Sequence, residues 1–159
     1  MEVKKKEMCQ QMSIEEVNQH YRYCSFLPTT NILFFEETKA LRIPLYRWNP
    51  EQGRTVFRSW RKRAIEYPLY LDLMQIHNVV HFSFDEAQIV TDYCEFYELV
   101  YSKGRIRFET DFPFPLVVEV SSWFVQIDKS DVPVGKYTEE VTCFLLGEGV
   151  SRRIDLHNQ

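Results

Sequence analysis

The sequence predicts an α+β fold, with helices on one face of an antiparallel sheet. Three observations predict it. Up to Pro68 the apolar residues recur at helical spacing. From Leu69 to His157 they alternate at spacing two, broken by short turns. The chain of 159 residues, without internal repeat or interdomain linker, is long enough for one sizeable core.

Residues 1–12 are polar and Lys-rich at the start and predict a flexible tail, leaving residues 13–159 as a single α+β domain. Ser13-Ile14-Glu15-Glu16 matches a capping box, with the Ser13 hydroxyl accepting from the Glu16 N–H and the Glu16 carboxylate reaching back. Ile14, Val17, Tyr21 and Cys24 follow as one apolar stripe. Leu27-Pro28 stops that helix, because the residue before proline avoids the α region. Residues 41–48 read as extended, with Pro44 restricting them to an edge. Asn49-Pro50 opens a second predicted helix, with Asn49 as its cap. On that helix Val56, Phe57, Trp60 and Ala64 fall on one side and Arg54, Arg58, Arg61 and Lys62 on another.

Strands follow. Ile76, Val80, Phe82 and Phe84 share one face of the first. In the second, Ile89, Tyr93, Tyr97, Leu99 and Tyr101 share a face, opposite Val90, Cys94, Phe96 and Val100. Ser102-Lys103-Gly104 is a hairpin turn, and Gly147-Glu148-Gly149 turns the chain into the last strand. Leu116, Val117, Val118 and Val120 make residues 116–127 apolar on both faces, as in a central strand.

Hydrophobic residues make up 45% of the chain and aromatics 15%, which implies either a ring-packed core or a ring-lined cavity. A formal net charge of −4 argues against a general nucleic-acid binder. Cys9, Cys24, Cys94 and Cys143 contain no CxxC, and no apolar run approaches the roughly 18 residues that span a membrane. The expectation is an intracellular protein, cytoplasmic or nuclear, with free thiols and no membrane contact.

His77 and His81 are spaced by four. On a strand this separates their Cα atoms by roughly 13 Å at about 3.3 Å per residue. Each imidazole reaches only about 2.1 Å to a metal, so no shared metal is expected. Either could instead act as acid or base. Tyr93 and Tyr97 offer phenol donors, and alternation puts Glu95 on their face. Trp60, Phe82, Tyr97 and Trp123 are the expected walls of a ligand pocket. Arg54, Arg58, Arg61 and Lys62 form a basic stripe suited to an acidic protein partner. Catalytic glycine, serine or metal motifs are absent, and no cofactor is expected.

Gln52-Gly53-Arg54-Thr55-Val56-Phe57-Arg58-Ser59-Trp60, the run from Leu73 to Phe84, and Phe144 to Ile154 together resemble the nuclear transport factor 2-like superfamily. The resemblance implies a curved sheet of four to six strands wrapped on N-terminal helices into a cone. It also implies an apolar cavity and a homodimer. Residues 105–115 depart from that pattern. On this basis the first functional reading is a small-molecule cavity protein, a cofactor-independent acid–base isomerase, dehydratase or cyclase for a small apolar or aromatic ligand. The alternative is a non-catalytic dimeric protein-interaction module.

Overall fold

A computed structural model describes residues 9–157. The elements in chain order are β1 (Cys9–Met12), α1 (Ile14–Tyr21), β2 (Ser25–Pro28), β3 (Leu33–Phe35), β4 (Ala40–Trp48) and β5 (Arg54–Arg58). They continue with β6 (Lys62–Ile76), β7 (Val79–Phe84), β8 (Tyr93–Ser102), β9 (Arg105–Thr110) and β10 (Leu116–Val120). The last three are β11 (Val125–Asp128), β12 (Pro133–Phe144) and β13 (Gly147–Leu156). The strands pair antiparallel, and α1 is the one α-helix among the described residues.

This corrects the α+β expectation: the fold is mainly β. The capping box at Ser13 is present in both directions and starts α1, whose Val17 and Tyr21 are buried. The second helix does not form. Asn49 caps only a single 3-10 turn, Pro50–Gln52. Thr55, Val56, Phe57, Ile65 and Tyr67 are β-branched or aromatic and sit in β5 and β6 instead. The β5–β6 hairpin and the pairing of β6 with β12 have overridden the helical period here. The Cys9–Met12 part of the expected tail is a strand paired with Asp128–Val125, and residues 1–8 lie outside the described residues.

One eight-residue helix cannot supply the helical filling of a cone, so the nuclear transport factor 2-like resemblance fails on architecture. The enclosed cavity and the sheet-mediated homodimer rested on that resemblance and lose their ground with it.

Residues 9–47 and 71–130 form one compact unit; residues 48–70 and 131–157 form a second. In the first, the strand order is β1-β11-β6-β4-β2-β8-β9-β10-β7. Its core gathers side chains from α1 and from most of these strands, including Leu27, Leu41, Ile43, Met74, Phe96, Leu99, Ile106, Val118 and Ile127. Asn18 docks the helix on β8, its amide donating to the Leu99 carbonyl at 3.1 Å and its oxygen accepting from the Leu99 N–H at 2.6 Å.

Pro44 does not mark an edge strand. β3 pairs with residues 40–42 of β4 and β2 with residues 46–47, and Pro44 lies between the two stretches. Asn78, at φ 59°, ends the strand that was expected to run from Ile76 to Phe84, so the alternation restarts at Val79.

A fully buried carboxylate, Asp72, is saturated in this unit. It accepts from the Tyr21 hydroxyl at 2.7 Å, Arg47 Nε at 2.8 Å, Arg47 Nη2 at 3.3 Å and the Ser130 N–H at 3.0 Å. Four donors on two oxygens leave it little capacity for a ligand, which makes it a structural staple among α1, β4, β6 and the segment after β11.

In the second unit β12 pairs with β13 over ten positions, from Gly135↔Leu156 to Phe144↔Gly147, and with the first part of β6 on its other edge. β5 covers residues 63–66 of β6. Pro68 lies within β6, beyond the end of β5 pairing, where a residue without an N–H is tolerated. The small core here is Leu69, Ala64 and Tyr137, with Trp48 and Tyr67 packed on Tyr137 at 5.0 and 5.6 Å. Gly53 is required: a Cβ there would lie 2.5 Å from the Tyr67 ring.

Candidate functional site

Two turns of the second unit meet at one end of its strands. The β5–β6 turn is closed by Ser59, whose N–H donates to the Lys62 carbonyl at 2.8 Å and whose hydroxyl accepts from the Lys62 N–H at 3.2 Å. The β12–β13 turn is Leu145-Leu146, followed by Gly147 at φ 156°, which supplies the backbone freedom of a tight hairpin. The Cys143 N–H donates to the Arg61 carbonyl at 2.7 Å and ties the two turns side by side.

The chemistry at this end is unusual for turns, where Gly, Asn, Asp, Ser and Pro dominate. Leu145 is 99% exposed, Leu146 98%, Trp60 84% and Phe144 64%. The Phe144 ring lies across Gly149, where a Cβ would approach it to 2.7 Å. The Arg61 guanidinium stacks on Trp60 at 4.1 Å, and the Lys62 ammonium lies 6.0 Å from the half-exposed Phe57 ring. Arg58 and Arg63, opposite each other across β5 and β6, are both exposed. Lys62 also forms an ion pair with Glu140, and Glu148 stands opposite Cys143 in the ladder. The result is an apolar tip with a collar rich in cations.

The sequence-predicted residues are distributed differently. Arg54, Arg58, Arg61 and Lys62 do not form a helix stripe. Arg54 and Arg58 are in β5, Arg61 is in the turn and Lys62 opens β6. Arg54 is engaged by Glu66 at 3.2 Å, well back from the tip. Trp60 lies at the tip in solvent rather than on a cavity wall.

In the first unit His77 and His81 are separated by the Asn78 turn. His77 Nε2 is 2.8 Å from Gln126 Oε1, and its ring packs on Phe124 at 4.7 Å. His81 is exposed on β7, opposite Glu119. Phe82 packs on Phe34 at 5.0 Å. Tyr93 meets Tyr46 edge-on at 5.8 Å, and burial, then the Asp92 charge, pushes its hydroxyl pKa up. Glu95 shares half-burial with Tyr93 on β8, and its N–H donates to Asp111. Tyr97 packs on Tyr23 at 5.3 Å. Trp123 donates from Nε1 to the Met12 carbonyl at 3.0 Å and packs on Tyr101 at 5.2 Å.

The expected tyrosine ladder is split. The β8–β9 register shifts between Phe96 and Glu98, so a bulge at Tyr97 reverses which alternate residues face inward. Cys94 and Phe96 are buried before it, and Leu99 after it.

Two open grooves also lie in the first unit. One, of about 520 Å³, is lined by Glu15, Asn18, Gln19, Arg22 and Tyr23. The other, of about 570 Å³, includes Phe34, Phe35, Glu36, Arg42 and Gln75. Neither is lined by a predicted catalytic residue. Among the described residues no group of three His, Cys, Asp or Glu is arranged to hold a metal ion, and no helix is long and apolar enough to cross a membrane.

Sequence reasoning missed Phe144, Leu145 and Leu146. Their signal was present: two leucines immediately before Gly147 make an apolar hairpin turn, one step earlier than the Gly147-Glu148-Gly149 turn that was expected. No family model, curated protein sequence or solved structure matches this chain.

Proposed function

We propose that the protein is a non-catalytic interaction module that docks through the tip formed by Trp60, Phe144, Leu145 and Leu146. One observation carries this reading. Both turns are closed by Ser59, Gly147 and backbone hydrogen bonds, so folding makes no demand for large apolar residues at their ends. A place where a sequence breaks local turn chemistry without structural gain is where function is expected.

The acid–base reading has less support. General acid–base chemistry needs a base, a donor and a substrate within hydrogen-bond reach. His77 is engaged with Gln126, Tyr93 packs on Tyr46, and Glu95 lies on a different strand from either histidine.

The chain carries its own footprinting probe. Cys143, beside the tip, and Cys9, in β1, are both exposed thiols. A membrane-permeant maleimide is applied to cells making the protein and to the purified protein, and labelling is read residue by residue by mass spectrometry. Slower labelling of Cys143 in cells, with Cys9 unchanged, supports an occupied tip. Equal labelling of Cys143 in both settings overturns the reading.

A further inference from the structure

We infer that the surface this tip docks on is an anionic lipid membrane, into whose headgroup region Leu145, Leu146, Phe144 and Trp60 insert. The inference rests on the docking reading above and names its partner. Two features favour lipid over a protein groove.

The first is all-round exposure. Leu145 and Leu146 occupy the two central positions of a two-residue turn, and both are almost completely exposed. Trp60 adds a third exposed apolar group on the neighbouring turn, held beside them by the Cys143–Arg61 hydrogen bond. A groove in a protein covers one side of a projecting hairpin. A lipid layer surrounds it, so a tip that is apolar on every side is matched to a fluid rather than to a fixed wall. Trp is also the side chain most at home at the headgroup level, because its ring is apolar and its N–H is polar.

The second feature is charge placed behind the apolar end. Arg58, Lys62 and Arg63 are exposed on the two strands that lead into the Trp60 turn, and Arg61 is exposed in the turn itself. In the inserted position they meet the headgroup layer, where basic residues are attracted by anionic lipid. Stacking of Arg61 on Trp60 keeps a cation directly behind the inserted ring. The nearby acids are Glu140, which pairs with Lys62, and Glu148, which stands opposite Cys143 and has no part in this attraction. The contact is with a membrane surface and involves no spanning segment.

The test is co-sedimentation of the full chain with vesicles of phosphatidylcholine alone and of phosphatidylcholine mixed with phosphatidylserine. Binding to the mixed vesicles and much weaker binding to the neutral ones is expected. Arg58→Gln and Arg61→Gln should each lower binding about fivefold, the equivalent of about 1 kcal/mol per basic residue at an anionic surface. Leu145→Ser with Leu146→Ser should lower it at least about tenfold, from the loss of two inserted aliphatic side chains. Glu148→Gln should tighten it. Trp60 emission should shift to the blue with mixed vesicles, and Trp60→Phe should remove that shift while Trp48 and Trp123 remain.

Unchanged melting of each variant shows that folding is intact. Failure of the wild-type chain to sediment with mixed vesicles, or binding insensitive to the leucine pair, overturns the lipid assignment. If Cys143 is nonetheless protected in cells, the docking reading survives with a protein on the tip. If vesicles bind but Cys143 is labelled equally in cells and in purified form, the docking reading itself falls.

Discussion

The two units differ in how far they leave apolar side chains in water. In the first, α1 and its strands bury a continuous set of Leu, Ile, Val, Phe and Met, and the fully buried Asp72 carboxylate has four donors. In the second, Leu69, Ala64 and Tyr137 are the buried hydrophobics, while Val56, Phe57, Trp60, Phe144, Leu145, Leu146 and Val150 are exposed. Large side chains left in water bring no folding benefit. Tyr23, Leu33, Val80, Val90 and Phe112 of the first unit are exposed too, at 49–69%, but less than Trp60, Leu145 and Leu146 of the second, at 84–99%. On the docking reading proposed above, the contrast separates a scaffold from a working surface within one chain.

The sharpest way to break that comparison is at Asp72. Asp72→Ala should cost about 3–5 kcal/mol, because Arg47 and Tyr21 lose a buried partner. Chemical denaturation measures it, and a loss below about 1 kcal/mol would mean the network is incidental. Two buried acids of this unit, one of them in the Asp72 network, set a pH dependence. Burial, then the Asp72 charge, holds the Tyr21 hydroxyl well above the usual tyrosine range. Burial, then Asp111, pushes the Cys94 thiol up to about 11.

Both are acids whose folded-state pKa is raised. Their contribution is complete below the unfolded-state values and falls away as pH rises through the folded ones. Melting temperature should therefore decline above about pH 9 for the thiol and about pH 10 for the phenol. Tyr21→Phe should flatten the second part of that decline. A melting temperature that stays level through this range would place both groups nearer the solvent than the structure does.

Gly135→Ala tests the second unit by itself. The added Cβ would lie 2.3 Å from the Asp155 carbonyl oxygen and 2.8 Å from Leu156 Cα, both of them backbone atoms that cannot swing away. The start of the β12–β13 ladder must separate, at a cost of about 1–3 kcal/mol. Hydrogen exchange should show β13 amides losing protection while those of β8 and β9 keep theirs. Equal loss in both sets would show one cooperative body, and the division between scaffold and working surface would lose its energetic meaning.

Asn18→Ala should cost about 1–2 kcal/mol, since both Leu99 backbone groups lose their side-chain partner. Exchange at the α1 amides should report it first. A neutral outcome would mean that Val17 and Tyr21 alone hold the helix on the sheet.

What the sequence revealed follows the same division. Local signals were legible. Ser13 and Glu16 make a reciprocal cap, Asn49 caps its turn, and Lys103-Gly104 turns the β8–β9 hairpin at φ 53° and 75°. Pairing at long range was not. Val56, Phe57, Trp60 and Ala64 satisfy a helical angle as well as they satisfy two strands and a turn. Phe57 pairs with Ala64 across the β5–β6 hairpin, and β6 is held on its other edge by β12, 80 residues away by the register of Thr142 with Lys62.

The bulge at Tyr97 was equally hidden, since alternation carries no sign of an inserted residue. His77 and His81 do not lie on one continuous strand as their spacing implied, because Asn78 turns the chain between them. At the tip the basic residues were noticed and placed on the wrong element. The leucines were overlooked because an apolar pair beside Gly147 reads as strand until the turn is seen.

The smallest expected stability effect is the most discriminating. Leu145→Ser together with Leu146→Ser should leave unfolding free energy within about 0.5 kcal/mol of wild type, as for surface positions that bury nothing. Leu99→Ser, the same chemical change at a buried position, should instead cost several kcal/mol, about 2–5 by analogy with other large-to-small core changes. Measured side by side in denaturant, the two experiments weigh one residue type in the two units. A marked loss of stability from the tip pair would make those leucines part of the second unit's core, with no surface left to explain. A flat response, together with loss of docking, leaves binding as the reason for two leucines in a turn that Gly147 already closes.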